Sequence, residues 1–251
     1  MQAETGFTNS SVHGKSADGL PEKKRHDPYG AIHKGLRSFM QDTLFHVGSM
    51  DVGDPSSTSA ALARTRALLT MCRNHLEHEN RLVHPAIEAR LPGGAARTRM
   101  EHEGHERSIA LLETRVHDLE HAAAEGEISL AERLAKAFYL ELSRFVAENL
   151  EHMHVEETEN TRHLWALYSD DELRQIQGAI IASETPEQIA QSFRWMLPAL
   201  SPSERAGLLS GARAGMPAEA FQGVLALARS VLAPRDWEKL VAALGITSGR
   251  N

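Results

Sequence analysis

The sequence has a single cysteine, few aromatic residues and no long hydrophobic run. Cys72 alone cannot form an internal disulfide, and this usage suits a reducing compartment, so we expect a cytoplasmic protein. No apolar stretch approaches the roughly 20 residues of a membrane span, and the polar N-terminus lacks the apolar core of a signal peptide. The formal net charge of -7 argues against nucleic acid or an anionic membrane as a partner.

The composition favours helices. Aromatic residues make up 5% of the chain, whereas alanine, leucine, glutamate and arginine are abundant, and these four are helix formers. Runs of β-branched residues with a period of two are missing from the sequence. We therefore predict an all-α fold.

Hydrophobic residues at helical spacing predict four long helices with short connections. They cover about residues 28–47, 57–90, 95–124 and 130–168, and Gly, Pro or Asp interrupts the pattern between the first three. Such a series predicts an up-down-up-down four-helix bundle over residues 28–168. The preceding residues 1–27 are polar, and we predict that they form a disordered lead-in.

Residues 169–251 have a different character, because the helices become shorter and each start is marked. The starts carry capping hydroxyls or prolines at Ser169, Thr185, Ser201, Pro217 and Pro234. We predict about five short helices, forming either a small domain or an extension of the bundle, with a homodimer contact as one role. Every histidine lies at or before His163, so we expect no metal site in this region.

The chain has 14 histidines, and two of them form a repeated pattern with glutamate. His75 and Glu79 are four residues apart, so they stack on one face of the second helix, within its apolar stripe. His152 and Glu156 repeat this spacing on the inward line of the fourth helix. Either pair alone leaves open the ordinary alternative, a polar pair on a solvated helix face.

A lone histidine precedes each of these pairs, on the apolar face of the preceding helix. His33 lies 42 positions before His75, and His105 lies 47 positions before His152. The order of a lone histidine followed by His-x-x-x-Glu therefore occurs twice. This internal repeat predicts a bundle in which approximate two-fold symmetry relates the two helix pairs.

The distances of these residues from the ends of their helices also suggest that antiparallel packing brings them to similar heights in the bundle. At 1.5 Å per residue, His33 lies roughly 21 Å from the end of its helix and His75 roughly 27 Å from the start of the next. For His105 and His152 the corresponding lengths are roughly 29 Å and 33 Å, which is a poorer match.

Two buried glutamates beside four imidazoles predict a metal site. An unpaired buried carboxylate is costly and would protonate instead. Cations remove this cost, because carboxylates can bridge two ions while neutral imidazoles cap each ion, as in known bundle-core sites. Mixed nitrogen and oxygen ligation suits iron or manganese, whereas a structural zinc site more often uses cysteine. This donor set therefore leaves iron and manganese open, with zinc as a possible substitute.

Residues 28–168 resemble the hemerythrin-like, or HHE cation-binding, family. The segments YGAIHKGL, HLEHENRLVHPAIE, EHEGHERSIALLE and HMHVEETENTRHLW follow the four helix signatures of that family in order. The resemblance implies a four-helix bundle around a non-haem di-iron centre. By position it implies imidazole ligands from His33, His75, His105 and His152 and bridging carboxylates from Glu79 and Glu156.

Two positions depart from the oxygen-carrying hemerythrins. Those proteins have a histidine four residues before the position of His105, where this chain has Glu101. They also have an aspartate five residues after the last ligand histidine, whereas Glu156 follows His152 by four. These departures argue against simple reversible oxygen carriage. Glu101 is an alternative ligand, and His102 is a candidate for contact with the ligands.

We expect ordinary structural roles for the remaining histidines and for the cysteine. A surface or hydrogen-bonded role is expected for His46, His78, His84, His102, His117, His121, His154 and His163. Cys72 lies one turn before His75, and we expect it to be a small core residue and not a thiolate ligand.

Taken with the resemblance, these features predict a di-iron protein that binds or senses O2, NO or peroxide, or that handles iron. One alternative is a redox enzyme of the oxidase or peroxidase type that uses the same centre. Another is a protein that reports the state of the metal through a partner surface on residues 169–251. We expect a binding or sensing protein more than an enzyme.

Overall fold

The structure is a computed structural model that describes residues 25–246. Within this range every regular element is a helix, as the composition predicted. The predicted lead-in lies outside the described residues except for its last three, Arg25 to Asp27, which contact the helical part of the chain. No described helix is both long and apolar enough to cross a membrane.

Four long helical segments occupy the predicted positions. The first, α1, spans Gly30–Gly48; the second consists of α2 (Pro55–His78), a π-helical turn (Glu79–Val83) and α3 (His84–Arg90). The third, α4, spans Ala96–Ala124; the fourth consists of α5 (Ile128–Val155), a second π-helical turn (Glu156–Asn160) and α6 (Thr161–Leu167). The observed ends agree with the predicted ranges to within a few residues.

The long helices contact one another in a closed ring. α1 contacts α2, α2 contacts α4, α4 contacts α5, and α5 contacts α1. Neighbours run antiparallel: from Arg66 to Arg73 on α2, the ion-pair partners on α4 run backwards from Glu120 to Glu113. Other neighbouring pairs show the same reversal.

One hydrophobic core fills the space inside this ring. Its fully buried side chains include Leu36, Phe39, Leu62, Leu68, Leu112, Phe138, Leu142 and Phe145. Each such side chain contributes about 2 kcal/mol relative to an exposed one. Cys72 is part of this core, as predicted, and burial raises the pKa of its thiol to about 12.

Five short helices follow, in agreement with the predicted number. They are α7 (Asp170–Ser183), α8 (Pro186–Ala199), α9 (Pro202–Gly215), α10 (Ala218–Val231) and α11 (Pro234–Ala243). The expected capping hydroxyls Ser169, Thr185 and Ser201 each form a capping box with the residue three positions later. A second hydrophobic cluster, around Leu197, Leu209 and Leu240, holds the last four of these helices together.

The C-terminal helices cover the outer face of α1. At Gly35 an added β-carbon would lie 3.1 Å from the backbone nitrogen of Met196, so the absence of a side chain lets α8 approach closely. The rings of Phe39 and Trp195 stack at 3.9 Å nearby. The contact between Gly35 and Met196 lies two residues along α1 from His33.

Candidate metal centre

Glu79 and Glu156 each occupy the first position of a π-helical turn at the end of a long helix. Pro85 accounts for the first turn, because it has no N–H for the carbonyl of Arg81 and its ring would clash there. The N–H of His84 donates to the carbonyl of Glu79 instead, five residues back. Turns of this kind are rare and frequently occur at functional sites.

The second turn has a different local cause. Thr161 donates both its backbone N–H and its hydroxyl to the carbonyl of Glu156, the hydroxyl at 3.0 Å. The two turns therefore place the two glutamates at equivalent points of their helices, although only the first turn is followed closely by a proline.

Two groups of metal-ligating side chains meet inside the ring of helices, at the level of these turns. One group is His33, His75, Glu79 and Glu156, and the other is Glu79, His102, His152 and Glu156. Within each group the candidate ligand atoms lie within 4.8 Å of one another. Both glutamates belong to both groups, so the arrangement has two halves that share their carboxylates.

The histidines of each half are spaced like neighbouring ligands of one ion. The Nε2 atoms of His33 and His75 are 3.1 Å apart, and those of His102 and His152 are 3.0 Å apart. Two nitrogen ligands at right angles around an ion, with metal–nitrogen bonds of about 2.1 Å, would be about 3.0 Å apart. The spacing of the two nitrogens in each half is therefore compatible with ligation of one ion.

The carboxylate of Glu79 faces both halves. Its Oε1 lies 3.3 Å from Nε2 of His75, and its Oε2 lies 3.3 Å from Nε2 of His102. Glu156 lies between the same halves, with Oε2 3.4 Å from Nε2 of His33 and 3.3 Å from Nε2 of His152. Carboxylates in these positions could be shared by two ions.

None of the four oxygen atoms of Glu79 and Glu156 forms a well-aligned hydrogen bond to a described residue, although imidazole nitrogens lie 3.3 to 3.4 Å from three of them. Both side chains are almost completely buried. Buried carboxylates without hydrogen bonds are costly, and a cation between them removes the cost. The oxygen atoms therefore support metal binding independently of the histidine spacing.

The charges of the group are balanced by protons when no cation is bound. Burial and the charge of Glu156 raise the pKa of Glu79 to about 7. Burial tends to raise the pKa of Glu156 as well, but His102 and His33 hold it well below its usual value. Burial alone would lower the pKa of both histidines, yet the nearby glutamates raise each to about 9. Cations would replace these protons.

Hydrogen bonds to Nδ1 orient the rings. Nδ1 of His33 lies 3.1 Å from Oε1 of Glu157, whose two oxygen atoms accept from Arg37. Nδ1 of His152 lies 2.7 Å from Oε2 of Glu101. A carboxylate at this position holds a proton on Nδ1, so that Nε2 is the nitrogen available to a cation once its own proton has left. Glu101, the alternative ligand, thus contacts a ligand ring and not the centre of the group.

His102 occupies the place that we expected for His105. His105 is buried with its ring edge-on to His152 at 4.8 Å between centroids, but the structure brings it into neither group. We expected a surface or hydrogen-bonded role for His102; the structure shows it hydrogen-bonded, but buried within one of the two groups. Its Nδ1 is 2.8 Å from Oδ1 of Asn80, the residue that follows Glu79.

Two signals in the sequence could have identified His102. The buried positions of α4 alternate by four and three residues through Thr98, His102, His105, Ile109 and Leu112, so both histidines face inward. The distance of each histidine from the end of α4 then distinguishes them. His102 lies roughly 33 Å from the end of α4, which equals the height expected for His152, whereas His105 lies roughly 29 Å from it.

His84 is buried beside this centre. Its Nε2 is 3.2 Å from Oγ1 of Thr98, and its ring packs on His102 at 4.6 Å between centroids. Its Nδ1 has no hydrogen bond to a described residue. On the other half, Tyr29 stacks on His33 at 5.1 Å.

The fold and the site define an all-helical protein with a buried group of four histidines and two glutamates that could hold metal ions. No protein-family model matches the chain, and comparisons with curated proteins and with solved structures give no match. The functional conclusion therefore depends on the site itself.

Proposed function

We propose that this chain is a di-iron protein of the hemerythrin-like type. In this proposal α1, α2, α4 and α5 form an up-down-up-down four-helix bundle, and α7 to α11 form an extension that packs on it. The observation that carries the proposal is the position of Glu79 and Glu156, whose buried oxygen atoms lack well-aligned hydrogen bonds and face both histidine pairs. The order of the four helix signatures supports it.

The donor set favours iron. Each ion would receive two imidazole nitrogens and two carboxylate oxygens, which suits iron or manganese more than a closed zinc site. Six-coordinate ions would keep positions open for small molecules. When bound, the iron pair supplies these positions for O2, NO or peroxide. Glu157 and Glu101 would keep the rings of His33 and His152 aimed at the ions.

A binding or sensing role is the function that we favour. α8 packs against α1 at Gly35, two residues from His33. A movement of α1 that accompanies ligand binding at His33 would change this contact with Met196. Residues 169–251 would then report the state of the centre to a partner or to a second copy of the chain.

A redox enzyme is the second candidate. It is favoured by a surface cavity of about 350 Å³ whose wall includes His102, because a cavity that reaches a ligand ring can admit a substrate. Continued oxygen consumption with a reductant would support the enzyme. A stable NO or O2 adduct without turnover would support the binding role.

Metal analysis of protein reconstituted with iron(II) without oxygen tests the main proposal. We expect about two iron ions per chain, and their loss in the double variant Glu79→Gln/Glu156→Gln. Glu113→Gln is the control, because Glu113 on α4 forms only an exposed ion pair, with Arg73 on α2. Fewer than one iron per chain in the unmodified protein after reconstitution would contradict the proposal.

A further inference from the structure

A cavity of about 350 Å³ opens on the surface between the second helical segment and α4. Its wall includes His102, a member of the candidate metal group, and Asn80, which contacts Nδ1 of His102. The cavity therefore reaches the ring of one candidate ligand from the outside.

His84 lines the same cavity. Only 4% of this residue is exposed, and its Nε2 contacts Thr98 while its Nδ1 has no hydrogen bond to a described residue. A buried polar atom without a partner is costly and calls for a specific explanation. A ligand that passes through the cavity would supply the missing partner.

The rim of the cavity is acidic. Glu88, Glu103 and Glu106 contribute carboxylates, against the single guanidinium of Arg99. Glu103 and Glu106 are exposed and lie on the turn of α4 that follows His102. A cleft lined by charges of one sign raises the local concentration of oppositely charged ions, which here are cations.

The surface of α1 next to His33 carries basic side chains, in contrast to the acidic side chains next to His102, and it is partly covered. His33 corresponds to His102 in the two halves of the candidate metal group. The positions one and four residues later are Lys34 and Arg37 on α1 and Glu103 and Glu106 on α4. Arg37 donates to both oxygens of Glu157, at 2.6 and 2.9 Å.

The C-terminal helices add to this closure. Lys34 on α1 forms an ion pair at 2.7 Å with Glu204 on α9. Basic side chains engaged in ion pairs do not attract a cation. The two halves of the centre thus have similar ligands but different surroundings.

We propose that this cavity is the route by which a divalent cation reaches the centre. Glu103 and Glu106 attract the hydrated ion, and Nδ1 of His84 binds it transiently before it passes to His102 and His152. Carboxylate and imidazole groups replace water molecules of the ion along the way. The route rests on the metal-binding function proposed above.

Plugging the cavity with a covalent label tests the route. Cys72 is buried, so Glu106→Cys in the full chain provides one reactive thiol for a bulky maleimide, with single labelling confirmed by mass. Glu125→Cys is the matched control, since Glu125 lines a similar cavity of about 310 Å³ near the other end of α4. The rate of Co²⁺ uptake by metal-free protein is measured by stopped-flow absorbance.

We expect the label at position 106 to slow Co²⁺ uptake at least ten-fold, with the final stoichiometry unchanged, and the label at position 125 to have no effect. The unlabelled double variant Glu103→Gln/Glu106→Gln should slow uptake about ten-fold at low ionic strength and less at high ionic strength. Uptake at the unmodified rate by the protein labelled at position 106 would overturn the route alone. A failure of the unmodified protein to bind Co²⁺ would overturn the proposed function together with the route.

Discussion

The Nε2 atoms of His33 and His75 lie 3.1 Å apart, and His102 and His152 repeat this relationship at 3.0 Å. In each pair one histidine comes from a lone position and the other from a His-x-x-x-Glu pair. Both pairs face the carboxylate of Glu79. The centre is therefore built from two similar halves joined by shared carboxylates.

Replacing a shared carboxylate should affect both halves. In Glu79→Gln we expect the bound iron to fall from about two to fewer than one per chain, because the amide cannot bridge two cations. Elemental analysis of reconstituted protein measures this. The increase in melting temperature on addition of metal should disappear as well. Loss of only one ion, with the other bound at unchanged affinity, would show that Glu79 does not bridge.

The assignment of His102, and not His105, to the candidate metal group is directly testable. His102→Ala should lower the metal content, because it removes a nitrogen ligand. His105→Leu should keep it, since the corresponding position on α1 is Leu36, a core residue. Metal content and urea denaturation of both variants are compared. The opposite result, with loss of metal in His105→Leu alone, would assign the ligand role to His105.

Removal of the carboxylate behind His33 should weaken metal binding without removing a ligand. Glu157→Ala frees the His33 ring and leaves Arg37 without its partner, so we expect Co²⁺ affinity to fall about 10- to 100-fold. Glu157→Gln keeps an acceptor at Nδ1 and should restore most of the affinity and the Co²⁺ absorption spectrum. Glu148→Ala, which removes an exposed ion pair with Arg144, is the control. Equal affinities in Glu157→Ala and the unmodified protein would exclude the orienting role.

The ion pair between Lys34 and Glu204 should make a pH-dependent contribution. Hydrogen bonds from Lys34 and Ser201 lower the pKa of Glu204 from about 4.5 to about 2. A lowered carboxyl pKa stabilises the folded protein above the ordinary value, and this stabilisation is lost as the pH falls from about 4.5 through 2. Since the pair is partly exposed, Lys34→Met should cost at most about 1 kcal/mol at pH 7. Urea denaturation at pH 7 and pH 3 should show a smaller difference at pH 3, and an equal difference would contradict this assignment.

The close contact of α8 with α1 should not tolerate a side chain at Gly35. Gly35→Val would place its β-carbon against the backbone of Met196, and overpacking of this kind costs about 1–3 kcal/mol. Gly207→Ala in α9 is the matched control, because its β-carbon meets nothing within 4 Å and should stabilise the helix by up to about 1 kcal/mol. The free energies of unfolding of both variants are measured in urea and compared with that of the unmodified protein. An unchanged value for Gly35→Val would mean that α8 can move away from α1 without cost.

The helices could be predicted because the signals for them are local. Apolar spacing marked the four long segments, and Ser169, Thr185 and Ser201 marked the starts of three short helices by a capping bond within one turn. The π-helical turns were not predicted. Pro85 signalled the first, but the second depends on the hydroxyl of Thr161 and has no distinctive residue pattern.

Helical spacing in the sequence is enough to place two glutamates and three histidines on inward faces, because the burial of their apolar neighbours leaves them no other orientation. These histidines are His33, His75 and His152. The choice between His102 and His105 was settled by the packing of the helices, although the count of residues along α4 already favours His102. Both face inward on α4, and the choice depends on the level at which α4 lies against α5. The same is true of Glu101, whose contact with His152 depends on where a neighbouring helix places that ring.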